Sequence, residues 1–527
     1  MLRGLVLATA ALMAVFFLYV AARRLFYPYE VEWMTGSILD HVDRVHAGQP
    51  LYVAPTTEWI PFLYPPLYYW VASALSNVMS VMTACRAISI VATLAQAVLV
   101  WSIVRQTGST RFWAAAGVGM FFACYSYGGF WYDIERCDSL FIAAILGATL
   151  IVLRTRSVAG AAIAGALLGA AFFCKQPATF FVVGAAVGLF ANGERKSAYV
   201  LLGVAAAIVL GGTLVMNAQT DGWFGYYVWK MPASHGLDHR MFAPLFMIDL
   251  PHAGLLVAVT IALGVMWKRT PVLSAMLAAA FFASVTSRLH YGGAHNVLGF
   301  WTVFACIALA VVATRIEAAV ADSPWQRHVG FALVGAVLAQ FALFAYNPRT
   351  VVPSSDRHEV ADELAHLDGD VLVMGHGHLT AHRHFHAAAL LDILRVERRA
   401  PDQIVDALAR HQFSAIVLDD DGQIDFHRDL EFDSGMAPAF LENYFVSEQL
   451  GDVSAPLVGH AAVPTWVLRP RQTPLAGLPK KALRRRMNNE ETLAQLPPNI
   501  QTDLGVTPTS IEDLARQIDE GKRPWPR

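Results

Sequence analysis

Charge is what this 527-residue chain has least of: Asp, Glu, Lys and Arg make up 15% of it, against about a quarter in ordinary soluble domains. That excludes a soluble globular protein as a description of the whole. Neither sign is in excess, with a formal net charge of −2, so no basic surface is available for a nucleic acid. Cysteine is sparse too. Cys85, Cys124, Cys137, Cys174 and Cys306 are odd in number, scattered and mostly set in apolar runs; they build neither a disulfide framework nor a zinc spacing. The His-Glu-x-x-His pairing of zinc peptidases is missing as well.

What the chain has in quantity is apolar length, with 55% hydrophobic residues. Runs long enough to cross a bilayer predict spans near 5–22, 86–104, 112–131, 139–153, 157–174, 177–191, 197–216, 250–267, 271–287, 297–314 and 329–346. The fold class read from this is an α-helical polytopic membrane protein of about eleven transmembrane helices. Met1-Leu-Arg3 precedes an apolar run longer than a signal-peptide core, so an uncleaved first helix is expected. Short loops with paired cations alternate along the chain: Arg105 with Arg111, Arg154 with Arg156, Arg195 with Lys196, Lys268 with Arg269, and Arg315 with Arg327. Their excess marks the cytoplasmic side, puts the N-terminus there, and implies a multi-pass protein of a bacterial-type inner or plasma membrane. Pro65 to Met82 is apolar enough to span, but counting it would invert every later loop. It is read as a helix in the outer interface, with Tyr68, Tyr69 and Trp70 at headgroup depth.

This parity gathers one set of segments on the outer side: residues 23–85, the turn from Asp133 to Asp138, Lys175, the aromatic loop 217–249, the turn 288–296, and all that follows Tyr346. After Arg349 the pattern changes to that of a small C-terminal extracytoplasmic α/β domain, 349–471. Its expected elements are a helix from Ser355 to Leu367, a strand from Asp370 to Met374, a helix from Asp402 to Arg410 and a strand from Phe413 to Leu418. Residues 472–527 are rich in Pro, Lys, Arg, Asn and Gln and predict a disordered tail, leaving 1–348 as the transmembrane part with 23–85 its first outer loop.

Two acidic clusters share the outer side. One is Tyr27-Pro-Tyr-Glu30-Val-Glu32-Trp33, at the mouth of the first helix; the other is Asp133-Ile-Glu135-Arg136-Cys-Asp138, before the fourth span. Carboxylates from distant parts of a chain at one membrane depth can polarise an acceptor hydroxyl or hold a divalent cation. A solvated, turn-rich loop is the plainer account of the first cluster. Cations on the side that charge bias does not favour need partners, and Lys175, Arg136 and Arg288 are such cations. His290 and Asn296 flank the Gly-Gly of Ser287-Arg-Leu-His-Tyr-Gly-Gly-Ala-His-Asn296, where backbone can approach a sugar or phosphate, or simply turn. In the C-terminal part, His376, His378, His382, His384 and His386 match no zinc signature and read as loop histidines, with a metal box as the alternative. Asp419 to Gly422 reads as a turn after a strand.

Over residues 1–300 these motifs, in this order, resemble the GT-C superfamily of integral membrane glycosyltransferases. The nearest branch is that of protein O-mannosyltransferases, aminoarabinose transferases and Rgt-type lipopolysaccharide sugar transferases. The matching features are the acidic pair after the first helix, Gly48-x-Pro50-Leu-Tyr52, Tyr64-Pro-Pro66-Leu-Tyr, Arg86, Arg136-Cys-Asp138 and Lys175-Gln176. The resemblance implies transfer of a sugar from a polyprenyl-phosphate donor to an envelope acceptor, glycolipid, polysaccharide or protein, on the outer face. It implies Glu32 as the base, with Glu30 beside it, and Asp138 or Asp133 as second acid. It further implies Lys175, Arg136, Arg288, His290, Asn296 and Tyr64 as groups that bind substrate. The family pattern has adjacent acids where this chain has Glu30-Val-Glu32, so the choice between the two stays open. The donor is a lipid-linked sugar and the partners are the bilayer and an unidentified acceptor; the family has members with and without a metal. The rival is a transporter or lipid flippase, which calls for ionisable groups at midspan.

Overall fold

The computed structural model describes residues 1–353, 363–375, 382–385, 387–419, 426, 428–451 and 456–523. Helices stand at all eleven expected spans: α1 Leu2–Leu25, α4 Val81–Gln106, α5 Arg111–Tyr127, α6 Asp138–Thr155, α7 Val158–Phe172, α8 Ala178–Ala191, α9 Arg195–Gln219, α10 Gly254–Val265, α11 Pro271–Leu289, α12 Gly299–Ala319 and α13 Gln326–Leu343. Between α1 and α4 lie α2 Thr35–His46 and α3 Leu67–Leu75. Among the described residues six helices are long and apolar enough to cross a membrane, or seven if the pair bent by 87° at Ala253 is one span. The protein is a multi-pass membrane protein, and the count of eleven crossings is not reached by length and composition. The interfacial helix is shorter than expected, and only Trp70 of its three aromatic residues is exposed, Tyr68 and Tyr69 being buried.

Local chemistry sets the helix starts. Ser80, Thr110 and Ser157 each accept a hydrogen bond from the backbone N–H three residues on, the N-cap arrangement that satisfies an orphan donor. Packing between spans relies on small residues. At Gly165 in α7 a Cβ would lie 2.6 Å from the carbonyl oxygen of Leu201 in α9, so the two backbones meet where only glycine fits. Helix α12 is the centre of the bundle, with 94% of its apolar window buried, whereas α9 has 17% and presents its surface to lipid.

The two ends of the bundle differ. At one end Arg3 pairs with Glu317 and Arg156 with Glu194, drawing together the loops that carry the paired cations. At the other end sits a five-stranded sheet: β1 Val371–Met374, β2 Arg383–Phe385, β3 Ala415–Asp419, β4 Tyr444–Gln449 and β5 Pro464–Pro470, in the order β2-β1-β3-β5-β4. The first three strands are parallel and the last two antiparallel. Strands β1 and β3 and the helix Asp402–Ala409 fall where expected. The expected helix from Ser355 lies largely outside the described residues, as do His376, His378, His386 and the turn from Asp420 to Gly422.

The tail departs from expectation. Lys480–Ala494, Pro498–Leu504 and Ile511–Asp519 are helices, and the first and last of them pack on β4. Leu483, Met487, Leu493, Ile511 and Leu514 form the buried stripe, and Glu490, fully buried, pairs with Arg471 at 2.8 Å. A polar composition hid a narrow apolar stripe, which is all a helix lying on a sheet requires.

The sheet unit sits on the loops assigned to one side. His384 meets Asp40 at 2.9 Å, Arg383 meets Glu58 at 3.0 Å, His235 meets Asp392 at 2.7 Å and Lys230 meets Glu397 at 3.0 Å. Arg395 stacks over Tyr291 at 3.6 Å. These contacts join the sheet unit to the first loop, the aromatic loop and the turn after α11.

Candidate active site

Helix α1 ends just before Pro28, which cannot continue it, and the chain then bends at Tyr29 and Val31 before α2 begins at Thr35. Val31 enters an apolar cluster with Trp131, Ile134 and Val458, while Glu32 faces Arg136. The path of the loop is fixed by Arg86 at the start of α4. Its guanidinium donates to the carbonyls of Arg24 (2.6 Å), Tyr27 and Tyr29 (2.7 Å) and to the carboxylate of Glu135. Glu135 in turn accepts from the Thr35 hydroxyl at 3.2 Å.

The second loop supplies the rest. Arg136 lies between two carboxylates, with Glu32 Oε2 at 3.9 Å and Asp138 Oδ2 at 3.8 Å. It also donates to the Tyr64 hydroxyl at 2.9 Å and lies over the Trp131 ring at 4.9 Å. Asp138 opens α6, where the helix N-terminus favours a negative charge. It accepts from Lys175 Nζ at 2.7 Å and from the Asn296 amide at 3.1 Å. Lys175, in the turn between α7 and α8, sits 5.6 Å from the Tyr64 ring centroid and 5.2 Å from that of Phe300.

Six expected residues therefore meet: Glu32, Tyr64, Arg136, Asp138, Lys175 and Asn296. Glu30 is buried beside them. Asp133 is not among them: it accepts from Arg24 at 3.1 Å and from the Tyr125 hydroxyl at 2.6 Å, and both members of that ion pair are fully buried. Arg288 is one step removed, paired with Asp249 at 2.9 Å and donating to the Gly293 carbonyl, with His295 at 3.4 Å from the same Asp249. His290 faces the sheet unit, its ring 4.8 Å from that of His235. Among the described residues no group of three or more His, Cys, Asp or Glu side chains is placed to hold a metal.

Sequence reasoning missed two parts of this arrangement. Arg86 was visible as a motif residue and Arg24 as a cation on the outer side, but nothing marked their partners Glu135 and Asp133, which lie far along the chain. The other is Val458-Gly459. Val458 donates its N–H to the Val31 carbonyl at 3.0 Å and pairs strand-like with Glu32. A lone glycine in a polar loop gives no signal of such a contact.

Electrostatics separates the groups. Burial raises the Glu32 carboxyl, Arg136 and the Met34 N–H lower it, and Glu135 and Glu30 add to the rise, for a net push up to about 8. One Glu32 oxygen, Oε1, is buried without a hydrogen-bond partner. Burial pulls the Lys175 ammonium down, but Asp138, Tyr64 and Cys137 together more than offset this and hold it protonated. Arg136 is likewise kept charged against burial by Tyr64, Glu32 and Asp138. The site thus holds a carboxylate that can carry a proton near neutral pH next to two fixed cations, the condition for a general base beside a stabilised anion.

A family model for dolichyl-phosphate-mannose-protein mannosyltransferases matches residues 64–216. No curated protein sequence matches the chain. Among solved structures, ArnT from Cupriavidus metallidurans bound to undecaprenyl phosphate is similar with a TM-score of 0.52 at 14% identity, covering 88% of this chain and 98% of that one. The archaeal oligosaccharyltransferase AglB from Archaeoglobus fulgidus, in complex with an inhibitory peptide and a dolichol-phosphate, is similar with a TM-score of 0.51 at 11% identity, covering 99% of this chain and 86% of that one.

Proposed function

We propose, from the premise that this chain has the GT-C glycosyltransferase fold, that it moves a sugar from a polyprenyl-phosphate donor to a hydroxyl of an envelope acceptor on the outer face of the membrane. The observation that carries the reading is the meeting of buried Glu32 with Arg136, Asp138 and Lys175, drawn from three separate loops. The family-model match over residues 64–216 includes Tyr64, Arg136, Asp138 and Lys175.

In this reaction Glu32 takes the proton of the acceptor hydroxyl as its oxygen bonds the anomeric carbon. The bond from that carbon to the phosphate oxygen breaks with its electron pair, so polyprenyl phosphate departs as an anion. Positive charge must already be in place where that anion forms. Lys175 has three N–H donors and spends one on Asp138, leaving two for phosphate oxygens. Arg136 holds the acids apart, and its Nε makes no hydrogen bond. Arg288, reached through the turn that also carries Asn296, is a second cation for the phosphate. Asp138 orients Lys175, and Tyr64 offers both cations a ring to lie against.

A transport pathway calls for ionisable groups spaced along the midspan. Here the buried charges Arg24, Arg86, Asp133, Glu135, Arg136, Asp138 and Lys175 form one layer at helix ends and loops beneath the sheet unit. The sidedness of that layer follows the positive-inside reading, which sets the N-terminus in the cytoplasm and the sheet unit outside. Mass analysis of envelope glycans and glycolipids from cells lacking the chain, against cells carrying Glu32→Gln, tests the proposal. Loss of the same sugar from the same acceptor in both is expected; an unchanged envelope in both would overturn it.

A further inference from the structure

Glu32 is fully buried, yet the residues lying directly on it are exposed. Gly459 and His460, from the loop before β5, face outward on one side and touch Glu32 and Trp33 on the other. A single thickness of main chain therefore separates the carboxylate from solvent. The contact is specific to glycine: at a φ of +80°, a Cβ on residue 459 would stand 3.0 Å from Glu32 Cγ, 3.1 Å from Glu32 Oε1 and 3.1 Å from Trp33 Cδ1. Among the described residues this strand of chain is held by the hydrogen bond from the Val458 N–H to the Val31 carbonyl at 3.0 Å, by the Val458 side chain seated among Val31, Trp131 and Ile134, and by the His460 ring 5.9 Å from that of Trp33.

We propose that Val458-Gly459-His460 is the acceptor-side cover of the Glu32 site, contributed by the sheet unit: closed, it shuts water from the carboxylate, and it lifts to admit a hydroxyl-bearing acceptor past Trp33. The cover's purpose rests on the reading of Glu32 as the base, but its existence does not. Beneath it, the charged groups facing Glu32 are Arg136 and Glu135 from the turn before α6 and Glu30 from its own loop; among the described residues the main chain of Val458 and Gly459 faces it from above. The same apolar seat that receives Val458 contains Trp131, over which Arg136 lies. Lifting the cover thus removes a packing neighbour of Trp131, the ring that lies against the cation of the site, coupling acceptor entry to the charge that waits for the departing phosphate.

The test is carboxyl labelling of the full chain in lipid nanodiscs at pH 6, using a water-soluble carbodiimide with glycine ethyl ester and reading the peptide that holds Glu32. Exposed Glu58 sets the fast limit, and Glu490, buried within the sheet unit, reports whether the fold holds. Wild-type Glu32 is expected to label far more slowly than Glu58. Gly459→Ala, which wedges the cover up, and Val458→Ala, which removes its seat, are expected to raise the Glu32 rate at least tenfold with Glu490 still protected. Trp33→Cys with His460→Cys, joined by a reducible methanethiosulfonate bridge, provides a comparison within one protein, since the five native cysteines are buried. Bridging is expected to slow Glu32 labelling at least tenfold and reduction to restore it. Equal rates in the bridged and reduced forms, or wild-type Glu32 labelling as fast as Glu58, would overturn the cover. No sugar transfer is read, so a cover that passes beside a fully active Glu32→Gln enzyme would sink the proposed function alone.

Discussion

Glu32 and Asp138 are held on either side of one guanidinium, that of Arg136, at 3.9 and 3.8 Å. Two acids from separate loops thus share a single cation, and the one without a lysine of its own keeps its proton more readily. In the proposed reaction that difference favours Glu32 as the base, which yields the first prediction.

Glu32→Gln keeps the shape and the Met34 contact but removes the proton acceptor. A fall in transfer of roughly 100-fold or more is expected, since a positioned general base contributes about 10²- to 10⁴-fold. Glu30→Gln is expected to cost less than Glu32→Gln, because Glu32 is the acid set 3.9 Å from the Arg136 guanidinium. The check is turnover of purified variants at equal expression; full activity of Glu32→Gln removes it from the reaction.

The rate of transfer depends on the ionised form of Glu32, so activity should climb with pH and level off above about 8. Arg136→Gln removes the charge that favours ionisation, which moves this acid limb to higher pH. Stability runs the other way. The folded carboxyl binds its proton up to about 8 and the unfolded one only to its ordinary value of 4.5, so between those values the unfolded state holds fewer protons and stability falls as pH rises. A pH–rate profile and a pH series of thermal unfolding check the two signs.

Arg24 and Asp133 form a fully buried pair, and removing one partner leaves the other charged and dry, at a cost of about 3–5 kcal/mol. Arg24→Met and Asp133→Asn should each lower the unfolding temperature in detergent more than Glu32→Gln does. An Asp133→Asn protein as stable as wild type but inactive would instead return Asp133 to the chemistry.

His384 is raised from its ordinary value: burial opposes the charge, but the Asp40 hydrogen bond and the Asp40 charge outweigh it. The bridge from β2 to α2 therefore contributes fully below about pH 6.5 and fades as pH rises through the higher folded value. Hydrogen exchange in β2, corrected for intrinsic rate, should show protection lost on the alkaline side. Asp40→Asn should abolish that pH dependence.

Oδ1 of Asp138 accepts from Lys175 and Asn296, and Oδ1 of Asp133 from Arg24 and the Tyr125 hydroxyl, while Oδ2 of each makes no hydrogen bond. Among the described residues no group of three or more His, Cys, Asp or Glu side chains is placed to hold a metal. Dialysis against a chelator is accordingly expected to leave transfer unchanged; a loss restored by one added metal would show that the acids serve a metal instead.

Helices were legible because burial against protein and burial in lipid select the same residues, so α1 and α12 read alike though one faces lipid over most of its surface. The acidic clusters were legible through side-of-membrane parity alone. Pairings were not: Arg86 and Glu135, or Arg24 and Asp133, lie too far apart in the chain for any spacing to link them. The helices after Lys480 were hidden because a surface helix needs only a stripe such as Leu483, Met487 and Leu493, which composition averages away. Gly459 was hidden because its role depends on a main-chain approach, which no residue type advertises.

Helices α7 and α8 have 15 and 14 residues, or about 22 and 21 Å of rise, against a hydrocarbon slab of about 30 Å. The turn that joins them carries Lys175. Neither helix can bring that turn to the outer boundary of an undistorted bilayer from the inner one, so the membrane must dimple there or the ammonium must stand several ångströms beneath the headgroups. Either way a polyprenyl phosphate drifting laterally meets a local low spot, where its charged head is drawn down to the depth of the lysine and its tail need not leave the oil.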